Sequence, residues 1–215
     1  MNRLMYIALF VLGTTLLAHS QKLVKKNLDV RDKKVEMKFS FADTIFIQTW
    51  DKKAIDLQVS VNIDDNRYND DYDLKTDNDG PIVKLLEAID FKAIQKKKGE
   101  NKNYKSHIVY RLKIPANLEF DLNTISGKVE MKGPLGKISV STVSGFIDYT
   151  IPSQQKVKID LSTVTGNIYS DVKFDEKPVK DISWIGTNRK LTINGGNVPI
   201  ELKTVSGDIY LRKER

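Results

Sequence analysis

The chain has 215 residues, with 35 Lys and Arg against 28 Asp and Glu for a net charge of +7, two histidines and no cysteine. The missing cysteine excludes disulfide frameworks, thiol nucleophiles, cysteine-ligated zinc and lipid attachment at a cysteine. The charge excess is modest, and the length suits one elongated domain with a continuous core.

Residues Met1 to Ser20 carry Arg3 near the start, run apolar from Leu4 to Ala18, and end in Ala18-His19-Ser20 before Gln21. The apolar run is shorter than the ~20 residues that span a bilayer, and small residues occupy both positions a signal peptidase reads. A signal peptide over 1–20 is expected, cleaved before Gln21, with no transmembrane segment afterwards. The mature chain, 21–215, is then exported to the periplasm or the medium without a lipoprotein anchor, and keeps 34 basic against 28 acidic residues.

From Gln21 to Ile63 the apolar residues alternate: Val35, Met37, Phe39 and Phe41, then Ile45 and Ile47, then Ile55, Leu57, Val59 and Val61. Period two predicts strands with one face inward, the first turns of the architecture that follows. Alternation stops over 63–104, which is read as an insertion. Its first part, Asp64 to Asp79, holds seven acids against Arg67 and Lys75; its last part, Lys92 to Arg111, holds seven bases against Glu100. Between them Ile82, Leu85, Leu86, Ile89 and Ala93 recur at spacings of three or four after Pro81, predicting an amphipathic helix over Pro81 to Lys97. Asp77-Asn78-Asp79-Gly80 looks like part of a calcium loop, but aligning Gly80 with the loop glycine puts Lys75 at the first ligand position and Leu86 where a glutamate belongs. Asp64, Asp65, Asp70, Asp71 and Asp73 read as a solvated acidic loop on composition, with a looser calcium site of another kind as the alternative. The basic run Lys96-Lys97-Lys98 with Lys102 and Lys105 has only Tyr104 beside it, too little stacking surface for a nucleic-acid binder, and its nearest acidic partner is that loop.

Four copies of one phrase organise the rest: Thr124-Ile125-Ser126-Gly127, Thr142-Val143-Ser144-Gly145, Thr163-Val164-Thr165-Gly166 and Thr204-Val205-Ser206-Gly207, each followed two residues later by Val or Ile. The glycines step by 18, 21 and 41 residues, the last step being two rungs if Gly186 marks a worn copy. Rungs of 18 to 21 residues made of alternating strands predict an all-β, single-domain β-solenoid, like a β-helix, with one inserted helix. Each glycine forms a corner, because the chain turns there under positive φ or close backbone approach. Ser126, Ser144, Thr165 and Ser206 are expected to bond backbone groups at those corners.

Catalytic material is scarce. After processing His107 is the one histidine left, no serine sits in a nucleophile elbow, and no histidine pair is available for zinc. No catalytic, cofactor-binding or metal residue is nominated, and no ligand-binding residue is identified. Tyr110-Arg111-Leu112-Lys113-Ile114-Pro115 and the close, Leu191 to Gly196 followed by Ile200 to Leu211, resemble the bacterial putative-adhesin family of β-solenoid domains, whose function is unknown. The family favours Asp after the repeat glycine; Asp208 keeps it, whereas Lys128, Phe146 and Asn167 depart. The resemblance implies export from Bacteroidetes-type bacteria. The expectation is a non-catalytic adhesin-like or scaffold protein whose partner is an envelope or extracellular glycan or protein, with a polysaccharide-acting β-helix enzyme or a purely structural envelope component as the alternatives.

Overall fold

The computed structural model describes residues 20–99, 104–175 and 186–214. The expected signal peptide, apart from Ser20, lies outside them, as do Lys102 and the Ser183-Trp184-Ile185 stretch.

Sixteen strands and one helix follow in chain order: β1 (Lys22–Asp29), β2 (Lys34–Lys38), β3 (Thr44–Trp50), β4 (Ala54–Ile63), β5 (Tyr72–Asp77), β6 (Ile82–Ile89), α1 (Phe91–Lys98), β7 (Ser106–Pro115), β8 (Phe120–Ser126), β9 (Lys128–Lys132), β10 (Ile138–Ser144), β11 (Ile147–Ile151), β12 (Val157–Thr163), β13 (Ile168–Ser170), β14 (Thr187–Ile193), β15 (Val198–Ser206) and β16 (Ile209–Lys213). They form two eight-stranded mixed sheets. Sheet A runs β1-β4-β7-β3-β9-β11-β16-β13, and sheet B runs β14-β12-β15-β10-β8-β2-β6-β5. One core lies between the sheets, fed by alternate residues such as Val35 and Met37, Phe120 and Leu122, Val129 and Met131, and Ile209 and Leu211.

Each repeat places the strand before its glycine in sheet B and the strand after it in sheet A, so one repeat is one layer. Identical positions pair in parallel: Thr142 faces Thr124 and Thr204, and Thr204 faces Thr163. The glycines form the expected file, because a Cβ on Gly145 would lie 2.0 Å from Gly127 O, one on Gly207 2.0 Å from Gly145 O, and one on Gly166 1.9 Å from Gly207 O. Close backbone approach is the common reason for glycine here; Gly127 alone of the four also needs positive φ, at 91°.

The order of that file is 127, 145, 207, 166, which departs from chain order. The last repeat, β15–β16, is inserted between the layers of β10–β11 and β12–β13. The 41-residue step is therefore no pair of rungs, and Gly186 is no worn corner: it opens β14, which runs antiparallel on the outer edge of β12 before the chain returns as β15 on the other side. At the opposite end β2–β3 likewise slots between the layers of β6–β7 and β8–β9. Residues 21–63 thus supply one such layer, while β4 pairs antiparallel with β7, and β1, antiparallel on β4, forms the edge of sheet A.

The expected helix over Pro81 to Lys97 is corrected. Residues 82–89 are strand β6, paired in parallel with β2 and burying Val83 and Leu85, so the supposed insertion completes a layer. A short apolar run such as Ile82-Val83-Lys84-Leu85-Leu86 fits strand and helix periods alike, and partner backbone groups decide it. The helix is confined to α1, where the Asp90 side chain accepts a hydrogen bond from Ala93 N at 2.9 Å and Lys96, Lys97 and Lys98 occupy the last turn, suiting its negative end.

The corner hydroxyls are also reassigned. Three of the four inward threonines make the corner bonds: Thr204 Oγ1 donates to Gly145 O at 3.0 Å, Thr163 Oγ1 to Gly207 O at 2.9 Å and Thr124 Oγ1 to Ser126 O at 2.8 Å. Ser126, Ser144 and Ser206 point into solvent; of the four predicted hydroxyls only Thr165 bonds backbone at its corner, to Val205 O at 3.3 Å.

Candidate functional groove

Inward side chains of sheet A are spent on the core, so the residues between them face out and, because the strands pair in register, align in rows across the sheet. One row reads Gln58, Arg111, Phe46, Glu130, Asp148, Tyr210, Tyr169, from β4 to β13. The next, two residues along each strand, reads Asp56, Lys113, Gln48, Lys132, Thr150, Arg212. Residues of both rows line an open groove of about 730 Å³ that crosses six strands.

Charged and polar groups dominate its lining, with Phe46 among them, and further aromatic side chains flank its two ends. The Arg111 guanidinium lies 5.2 Å from the Phe46 ring centre, and Lys52 and Lys113 lie 5.0 Å and 5.9 Å from that of Trp50, whose Nε1 donates to Ala54 O at 2.8 Å. At the far end Tyr169 stacks on Tyr210 at 5.1 Å, and Phe146 meets Tyr210 edge-on at 6.0 Å. Such faces suit a ligand that offers C–H surfaces or positive charge to rings and hydroxyls or anions to the polar groups between them.

The groove's carboxylates are largely engaged by their own sheet. Arg212 Nε donates to both oxygens of Asp148 at 3.0 Å, and Glu130 is bridged by Lys128. By contrast, Arg111 and Lys113 meet no carboxylate among the described residues, and Lys132 reaches only Glu214, at 3.7 Å.

The other sequence-singled residues fall elsewhere. The acidic loop and the basic run neutralise each other, Lys97 Nζ lying 2.6 Å from Asp71 and Lys98 Nζ 2.9 Å from Asp64. Among the described residues no three His, Cys, Asp or Glu side chains are grouped to hold a metal ion. His107 is exposed on β7, 3.3 Å from Asp43. A buried chain links Tyr72 to Tyr110 at 3.0 Å and Tyr110 to Glu87 at 2.8 Å, while Glu87 also accepts the Phe41 N–H at 2.6 Å. Burial raises the Glu87 carboxyl above its ordinary pKa, yet its oxygens are turned to Tyr110 and Phe41 rather than to a groove. A second, smaller groove on sheet B is bordered by Ile125, Val143, Val205 and Val164, an exposed β-branched file at the corners.

Residues 60–212 match the family model described as Toastrack DUF4097. The chain belongs to the Toastrack DUF4097 family. No curated protein matches this Toastrack chain. Among solved structures it is similar to a "putative cell adhesion protein" from Clostridium sporogenes at 11% identity and a TM-score of 0.56, covering 91% of this chain and 100% of that one. It is also similar to a "putative adhesin" from Bacteroides fragilis at 11% identity and a TM-score of 0.33, covering 91% and 99%. A "putative lipid binding protein" from Parabacteroides distasonis aligns at 14% identity and a TM-score of 0.27, covering 90% and 97%. The first of these shares the Toastrack chain's fold; the other two superpose too loosely to inform it further. No helix among the described residues is long and apolar enough to cross a membrane.

The groove residues escaped the sequence reading, which followed the inward set of each strand. Glu130, Asp148, Tyr210 and Arg212 are the complement of that set and were available from the same alternation. Which of them stand side by side depends on layer order, which the repeats do not encode.

Proposed function

We propose that this chain is a non-catalytic, exported binding protein that holds an extended glycan of the envelope or extracellular medium along the sheet A groove, its layers forming the coils of a β-solenoid. The single observation that carries this is the pair of in-register outward rows, charged and polar with Phe46 among them and aromatic residues at either end, open across six strands. A long shallow channel of this kind accepts a polymer lying across the strands better than a compact metabolite, which favours an enclosed pocket. The signal-peptide pattern of residues 1–20 supports the export part of this reading. The name of the Clostridium sporogenes neighbour is in keeping with a binding role.

One observation favours the enzymatic alternative: Glu130 and Asp148 sit directly opposite each other on neighbouring strands, the arrangement of two carboxylates that glycoside hydrolysis uses. Their bonds to Lys128 and Arg212 suit them instead to holding cations in place. The test is a glycan array with the purified protein, repeated with Phe46→Ala and Tyr210→Ala. Binding that both substitutions weaken, without release of new reducing ends, is the expected result. Reducing ends lost on Glu130→Gln would establish the enzyme, and an empty array beside envelope weakening on gene deletion would establish the structural component.

A further inference from the structure

We infer that the groove's ligand is an acidic polysaccharide carrying one carboxylate per disaccharide, a deepening that rests on the sheet A groove being a glycan-binding surface. The basis is the spacing of charge along the second row. Lys113, Lys132 and Arg212 stand on β7, β9 and β16, with Gln48 on β3 and Thr150 on β11 filling the strands between. Cation and uncharged hydrogen-bonding group therefore alternate strand by strand. Strands lie about 4.8 Å apart, so the cations repeat at about 9.5 Å. One disaccharide of an extended β-linked chain covers about the same length as those two strand spacings. A polymer laid across the strands would then set a uronate against each cation and a neutral sugar's hydroxyls against Gln48 and Thr150.

Three features agree with an anionic ligand. The acids of the adjacent row are already satisfied, Glu130 by Lys128 and Asp148 by Arg212, so they offer the ligand little unpaired negative charge. Arg212 spends its Nε on Asp148, which fixes its plane and leaves the terminal nitrogens to donate outward. Arg111, close to the Phe46 ring and bonded to no carboxylate among the described residues, adds a fourth cation beside Lys113. At the β4 end Asp56 closes the row, so an acidic chain is repelled there and the cationic stretch has a defined start.

The experiment measures binding of the purified protein to three polymers of matched length: hyaluronan, with a carboxylate on every second sugar; polygalacturonate, with one on every sugar; and neutral dextran. Hyaluronan is expected to bind most tightly and to weaken as salt rises, since exposed ion pairs are screened. Lys113→Ala and Lys132→Ala should each weaken it roughly 2–5-fold, as partly exposed ion pairs do. Lys113→Glu with Lys132→Glu should abolish it, whereas Lys75→Glu with Lys84→Glu on sheet B, which also inverts two charges, should leave it unchanged. Circular dichroism on each variant confirms the fold; the substituted lysines are exposed and Phe46 is half-buried. Equal binding of polygalacturonate overturns the repeat match. Binding of a neutral glycan that Phe46→Ala removes, with no hyaluronan binding, overturns the acidic assignment while the groove reading stands; an array that is empty throughout removes both.

Discussion

Gly207→Ala tests the close stacking of the corners most directly. A methyl at this position would sit 2.0 Å from Gly145 O and 2.7 Å from the carbon behind it. Ordinary contact begins near 3.5 Å, so the two corners must part by about 1.5 Å, roughly a third of the strand spacing. Neither can retreat freely, because β15 is paired with both β10 and β12, and β16 with both β11 and β13. Parting them also breaks the 3.0 Å bond from Thr204 Oγ1 to Gly145 O, a loss of about 1 kcal/mol. Overpacking against fixed backbone adds about 2 kcal/mol, for a total near 3 kcal/mol. With a urea dependence of about 2 kcal/mol/M, the unfolding midpoint should fall by about 1.5 M. Gly80→Ala is the matched control, since nothing lies within 4 Å of its added methyl and its φ is not positive; it should be neutral or slightly stabilising. A Gly207→Ala midpoint within about 0.3 M of the parent would refute the stacking argument, because a shift that small corresponds to under 1 kcal/mol.

The threonine file offers an internal comparison. Thr204→Val and Thr163→Val should each cost about 1 kcal/mol in urea unfolding, whereas Thr142→Val should cost nothing or stabilise, since the buried Thr142 Oγ1 has no hydrogen-bond partner among the described residues. Glu87 supplies a pH dependence of known sign. Burial raises its folded pKa, so native structure favours the protonated acid; the stability linked to Glu87 is full below the unfolded carboxyl pKa and is lost as pH rises through the folded one. Glu87→Gln should therefore gain stability relative to the parent on going from acid to neutral pH, read from thermal melts across that window. A constant difference between the two proteins would contradict the assignment.

Strand content, the inward faces and the glycine corners were legible because each depends on a short stretch of chain: Val129 and Met131, or Ile209 and Leu211, declare their face by alternation alone. Layer order was not, for a physical reason. Every repeat offers its neighbours the same Thr, Gly and β-branched surfaces, so Gly207 fits on Gly145 as well as Gly166 would. What decides is that β14 doubles back along β12, a long-range event with no local signature. The misread β6 has a related cause: Ile82, Leu85, Leu86 and Ile89 follow helical spacing, while Val83 and Leu85 are the residues the fold buries. The groove inherits this dependence on order. Lys113, Lys132 and Arg212 are far apart in sequence and form a regular row only because β3 enters between β7 and β9, and β11 between β9 and β16.

The interleaved position of β15–β16 also governs how the protein comes into being on a ribosome. The last repeat is a keystone and not a cap, so a nascent chain that has finished β14 still has a vacancy within its stack, with β10 and β12 each lacking one neighbour. Consolidation of the stack must await β15–β16, which keeps the earlier layers loose until that segment has been made. Truncated products, missing the wedge, would expose two open strand edges in their interior and make natural targets for proteolytic clearance.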